Sequence, residues 1–151
     1  MDDAPASAPA AVAWLGYGGL IPFLGLSLAT AFDGDGAPFW DGVLVAYAAA
    51  ILSFVGALHW GFAITQSGLT AHQRNVGLVW SVIPCLLAWA ALLIQPLAAS
   101  ALLIVAFLAH YGQDWRFATQ ARLPAWYLPL RLRLTVVAIL CVAAGALLSR
   151  R

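Results

Sequence analysis

Three ionisable side chains fall where an oily chain has least use for them. His59 lies in Ser53-Phe54-Val55-Gly56-Ala57-Leu58-His59-Trp60-Gly61, His110 closes a second apolar run, and Asp114 follows it by four residues. Residues four apart share a helix face, so a helix running on through Trp115 makes His110 and Asp114 an imidazole–carboxylate pair. Histidine titrates near neutral pH, and such a pair can shuttle protons or hold the head of a quinone- or lipid-like ligand in an aromatic-lined pocket. Two histidines on facing helices can ligate a b-type haem. No C-x-x-C-H run exists, which excludes covalent c-type attachment. A zinc site needs a third ligand, which only His72 or Asp114 can supply; no residue is assigned to a metal. The plainer use of His59 and His110 is a hydrogen bond across helices, worth on the order of 1 kcal/mol, that locks their packing.

The candidate ligand-binding residues are therefore His59, Trp60, His110, Asp114 and Trp115, with Gln66 close enough to join them. No catalytic residue is assigned. Ser53, Ser67, Ser81 and Ser100 lack a G-x-S-x-G setting, and no two carboxylates share a segment in a way that suits glycosidase acid–base work. Asp33 and Asp35 imitate the opening of a calcium loop, but the later ligands and the closing glutamate are missing. Cys85 and Cys141 belong to no metal-type spacing and are expected to be small buried residues.

What must position these groups follows from composition. Of 151 residues 64% are hydrophobic and 9% charged, against about 25% charged in a soluble domain. Too few polar side chains exist to cover a water-facing surface, so lipid is the expected solvent. All seven basic residues are arginine, and no basic cluster interleaved with stacking aromatics suggests nucleic acid. The start, Met1-Asp2-Asp3, is acidic where a secretory leader is basic, and no cleaved peptide is expected.

The expected fold is an all-α integral membrane bundle: a flexible tail over 1–11, then a single domain over 12–149 of five transmembrane helices. Its spans are set at about 12–31, 43–64, 76–94, 97–116 and 132–148; about 20 apolar residues cross a ~30 Å hydrocarbon core. Pro22 and Pro84 are expected to bend the first and third spans. Val45, Ala48, Leu52, Gly56, His59 and Ala63 share one face of the second, which turns His59 into the bundle. Asp33, Asp35 and Asp41 read as a solvated acidic loop. Gln95-Pro96 allows only a tight turn, so spans three and four form an antiparallel hairpin. The fourth helix can run on toward Arg122, since the next strong breaker is Pro124. Trp126 and Tyr127, with Arg131 and Arg133, read as anchors at the headgroup level.

With the N-terminus cytoplasmic and the C-terminus outside, Arg74, Arg116, Arg122, Arg131 and Arg133 lie inside, and only Arg150 and Arg151 lie outside. That arrangement fits the positive-inside rule, and the reverse fits it worse.

Several short motifs occur in order along nearly the whole chain. They are Leu15-Gly16-Tyr17-Gly18-Gly19-Leu20-Ile21-Pro22-Phe23, Ser53-Phe54 with Gly56 and His59-Trp60-Gly61, Ser81-Val82-Ile83-Pro84, Asp114-Trp115, and Pro124 with Trp126-Tyr127 before Arg131-Leu132-Arg133-Leu134-Thr135. In these the chain resembles the transmembrane-protein-sixty-nine-like family, a domain of unknown function found in bacterial inner membranes and in mitochondria. The resemblance implies a small multi-pass membrane protein and carries no activity with it. The tryptophan-rich sensory protein has five spans at this length, but its Pro-Pro-x-Trp loop is absent here.

The functional expectation is a non-enzymatic binding or accessory protein of a bacterial inner, energy-transducing membrane. It would hold a quinone- or lipid-like ligand, or a partner complex or second copy of itself, near its cytoplasmic edge. A small proton-coupled transporter hinged at Pro22 and Pro84 is the alternative, and a b-type haem or redox protein the third.

Overall fold

The computed structural model describes residues 7–121 and 123–151, and every regular element among them is helical. The first span runs Ala10–Phe32 and divides into α1 (Ala10–Gly18) and α2 (Leu20–Phe32) at Gly19, whose own backbone stays helical. Pro22 accounts for the division. It has no N–H to give the Gly18 carbonyl, and its ring crowds that carbonyl. The adjoining Gly19 carbonyl accepts instead from the Tyr47 hydroxyl at 2.9 Å. Pro22 thus costs the first span one helical hydrogen bond without unwinding Gly19. Residues 1–6 of the expected tail lie outside the described residues, and Ala10 and Ala11 already belong to α1.

α3 (Ala37–Thr65) begins well before the expected residue 43, with Pro38 in its first turn where a missing N–H costs nothing. Ahead of it the Asp33 carboxylate accepts from the Trp40 indole at 2.9 Å and from the Gly36 N–H at 3.1 Å. These bonds, Trp40's first, hold Asp33 below the usual carboxylate range. Because α3 starts early, Asp41 is not in a solvated loop. It is buried, and accepts from the Ser149 hydroxyl at 3.1 Å. Gly145 lets the last helix come that close: a Cβ there would meet Leu44 Cδ2 at 2.7 Å and Asp41 Oδ1 at 2.8 Å.

α4 (Ala71–Ala91) likewise starts earlier than expected, on a capping box in which Thr70 and Gln73 satisfy each other's backbone N–H. Arg74, one turn in, reaches back to the carbonyls of Ala63, Ile64 and Gln66 and so closes the C-terminus of α3. Pro84 sits inside a continuous α4, and α3 packs against it: a Cβ on Gly56 would meet Pro84 Cβ at 2.8 Å.

α5 (Pro96–Gln120) starts on Pro96 and runs past the expected interface, and α6 (Tyr127–Leu148) starts at Tyr127 rather than near 132. α4 and α5 form the expected hairpin, turning through 92–95. Arg122 lies outside the described residues.

Five helical stretches are long and apolar enough to cross a membrane: Ala10–Phe32, Ala37–Thr65, Ala71–Ala91, Pro96–Gln120 and Tyr127–Leu148. The core between them is Phe23, Leu44, Leu52, Leu103 and Val142 with small residues such as Ala48, Ala49 and Ala99. Small side chains let membrane helices approach closely. Large apolar side chains (Ile21, Leu28, Val79, Leu93, Leu108 and Leu140 among them) face outward, as lipid-facing surface requires. Cys85 faces outward too, whereas Cys141 is buried as expected.

Candidate functional site

The predicted α3 stripe is buried from Val45 through Ala48, Leu52, Gly56 and His59 to Ala63. It carries His59 to the bundle interior six residues before the helix ends, a depth of about 9 Å at 1.5 Å per residue. Gly77 lets α4 close on the same turn, since a Cβ there would lie 3.3 Å from Ala63 Cβ. α5 supplies His110 and Asp114 one turn apart, and all three ionisable side chains are at most 1% exposed. The two imidazoles stand edge-to-face with centroids 4.9 Å apart.

Asp114 is the hub. Its Oδ1 lies 3.6 Å from His59 Nε2 and 3.9 Å from His110 Nε2. The same oxygen accepts from the Tyr127 hydroxyl at 3.0 Å, while Oδ2 accepts from Arg131 Nε at 2.8 Å. A carboxylate in a dry interior is tolerable only when paired and hydrogen-bonded in this way. From the far side Trp80 on α4 donates its indole N–H to His110 Nδ1 at 3.1 Å, with the two ring planes only 5° apart. Phe117 packs edge-on to His59 at 5.6 Å and stacks on Phe62, which meets Tyr127 edge-on. These rings wall the cluster at the end of the bundle where α3 and α5 finish and α4 and α6 begin.

The structure thus brings together His59, His110 and Asp114. It does not add Trp60 and Trp115, which are 51% and 58% exposed on the outer surface. Each is the neighbour in sequence of an inward residue, and a step of one along a helix turns a side chain by about 100°. His72 is exposed at the start of α4 and apart from the cluster. Arg133 is exposed and donates to the Tyr17 hydroxyl at 3.3 Å. Tyr127 and Arg131 are not surface anchors: both are 8% exposed and both bind Asp114. Their four-residue spacing at the start of α6 puts them on one face, and that was the available sign. Trp80 carried no sign beyond being an indole in mid-span.

A cleft of about 540 Å³ opens beside the cluster. α1 and α2 contribute Leu15, Gly16 and Phe23, α3 contributes Phe54 and Leu58, and α6 with the chain before it contributes Trp126, Tyr127, Arg131 and Thr135. The lining is almost wholly apolar. Tyr127 and Arg131 belong to both cleft and cluster, so they form the wall between them. The indole Nε1 of Trp126 is buried and has no hydrogen-bond partner among the described residues.

Comparison with known proteins agrees with the architecture. The chain matches the family described as "Protein of unknown function (DUF3429)" over residues 8–147. It is 36% identical over 142 residues to Transmembrane protein 69 of Xenopus tropicalis, covering 94% of this chain and 55% of that protein. It is 26% identical over 141 residues to Transmembrane protein 69 of Mus musculus, covering 93% of this chain and 57% of that protein. The chain therefore spans a little over half the length of these relatives. No solved structure matches it. A multi-pass helical membrane domain with these motifs, matched from near one end to near the other, belongs to the DUF3429, or transmembrane-protein-69-like, family of unknown function.

Proposed function

We propose that this protein is a non-enzymatic binding or accessory protein of an energy-transducing membrane. It holds a hydrophobic ligand whose head accepts hydrogen bonds, as the carbonyls of a quinone do. One observation carries this reading: the apolar cleft is bordered by an unpartnered buried donor, Trp126 Nε1, and by Tyr127 and Arg131, which also grip Asp114. Ligand pockets pair a mostly apolar lining with a few placed polar groups. A buried N–H without a partner is costly, on the order of 1–3 kcal/mol, and a carbonyl oxygen would relieve that cost. Trp126, Tyr127 and Arg131 meet the ligand, and His59, His110 and Asp114 stand behind them, joined to the wall through the Asp114 carboxylate. Trp60, Trp115 and Arg133 serve at the surface of the same end. The arginine distribution assigns that end to the cytoplasmic side, with the N-terminus inside and the C-terminus outside. A bacterial inner membrane is the home we assign to it.

The test is gentle extraction and mass spectrometry of what co-purifies. A stoichiometric quinone or lipid that is retained by wild type and lost from Trp126→Phe, and from Ala138→Phe, which puts a ring where α6 lines the cleft, supports the reading. Equal recovery from all three proteins contradicts it.

The hydrogen bond that Pro22 withholds inside the first span favours a second reading, a small proton-coupled carrier hinged there. Proteoliposome flux that depends on Asp114 would support it. The haem reading is not favoured. Axial imidazoles must lie on opposite faces of a macrocycle, whereas His59 and His110 approach one carboxylate oxygen with rings 4.9 Å apart.

A further inference from the structure

We infer that the cleft takes a para-quinone gripped at both ring carbonyls, with Trp126 and Arg131 at one and the Thr135 hydroxyl at the other. This rests on the reading of the cleft given above and names the head that it holds. Thr135 lines the cleft from α6 and is 4% exposed. A threonine inside a helix often turns its hydroxyl to the carbonyl four residues earlier, as Thr30 and Thr65 do to Leu26 and Gly61. The Thr135 hydroxyl makes no such bond among the described residues. Nor is its oxygen among the sealed, unpartnered polar atoms of the bundle, so it opens on the cleft. Arg131 stands one turn earlier on the same face. It commits Nε to Asp114, which leaves its terminal amino groups to donate elsewhere.

These donors bracket a ring. Four residues along α6 are a rise of about 6 Å, and the opposite carbonyl oxygens of a quinone are separated by roughly the 5.4 Å pitch of a helix. Helix side chains lean toward the N-terminus, which carries the Thr135 hydroxyl back toward Arg131. Beyond Thr135 the polar groups end, and Phe23, Ile51, Phe107 and Ala138 line the rest of the cleft. That stretch suits an apolar tail. The tail of a membrane quinone leaves the ring beside one carbonyl, and this is the carbonyl set at Thr135. An anionic head, whether carboxylate or phosphate, fits less well. Arg131 is the one cation lining the cleft among the described residues, and Asp114 already neutralises it at 2.8 Å. A ligand with all its acceptors at one end would also leave the buried Thr135 hydroxyl facing methylenes, which costs free energy.

The test uses the full chain in nanodiscs loaded with a decyl-tailed para-benzoquinone, labelled with carbon-13 at one carbonyl or the other and read by infrared spectroscopy. Both carbonyl bands should fall below their positions for the same quinone in protein-free nanodiscs. Thr135→Val keeps the side chain's shape and removes the hydroxyl. It should return only the band of the carbonyl beside the tail, and weaken binding about fivefold. Thr135→Ser should keep both shifts, and Trp126→Phe should move only the far band. A single shifted band in the wild-type protein, or two that persist in Thr135→Val, would overturn the assignment. If Thr135→Val fails to fold, Thr135→Ala removes the same hydroxyl and is read in the same way. Retention of another amphiphile that depends on Trp126, with no uptake of quinone, would overturn the quinone and leave the cleft reading standing. Retention that ignores Trp126 would defeat both.

Discussion

Trp80 donates its indole N–H to Nδ1 of His110 across 3.1 Å. An indole nitrogen is a donor only, so His110 Nδ1 must be an acceptor, and in the neutral ring the proton resides on Nε2, toward Asp114. A tryptophan on one helix thereby sets the tautomer of a histidine on another.

That relationship is measurable. Nitrogen NMR of protein labelled at histidine should show His110 as the Nε2–H tautomer. Trp80→Phe removes the donor and should allow mixed tautomers, at a stability cost of about 1 kcal/mol. An unchanged His110 signal in that variant would argue against the bond.

The Asp114–Arg131 pair is buried on both sides, so breaking it leaves an uncompensated charge. Asp114→Asn should destabilise the protein by about 3–5 kcal/mol, and Arg131→Met by a similar amount. The double variant should lose clearly less than the sum, because neither charge is then stranded. Denaturation in detergent for the four proteins gives the coupling energy; strict additivity would mean that the two side chains do not interact.

Close packing of α3 on α4 rests on Gly56 beside Pro84. Gly56→Ala should cost about 1–3 kcal/mol through overpacking. Gly25→Ala, where a Cβ meets nothing within 4 Å, should cost nothing. Thermal unfolding of the pair makes the comparison.

Asp33 provides a pH signature outside the membrane-spanning helices. Its folded pKa is depressed, first by the Trp40 indole and then by the Gly36 N–H. Its contribution is therefore present above the unfolded value, near 3.9, and is lost as pH falls through the lower folded value. The Trp40 indole N–H resonance should hold steady down to that range and shift below it. In Asp33→Asn the same resonance should lack the transition.

Much of this site was readable from residue type and spacing, and the remainder was hidden for identifiable reasons. The six-residue stripe on α3 turned His59 inward, and the i,i+4 spacing joined His110 to Asp114. Trp60 and Trp115 adjoin His59 and Asp114 in sequence, which on a helix separates side chains rather than joining them. Tyr127 and Arg131 looked like headgroup anchors because aromatic and basic residues at the end of a span usually are. Only the early start of α6 sets them deep enough to reach Asp114. Asp41 reads as loop because the Gly36-Ala37-Pro38 start of α3 lies ahead of the purely apolar run. Helix ends defined by caps, rather than by hydropathy, account for these displacements.

The central claim is that an amphiphile sits in the cleft with its head against Trp126 and Arg131. The most direct measurement is an experimental structure in lipid nanodiscs made from the native membrane. The account requires elongated density between α1, α3 and α6, ending within hydrogen-bonding distance of Trp126 Nε1. A cleft closed by side chains, or filled only with disordered acyl chains that make no polar contact there, would contradict it.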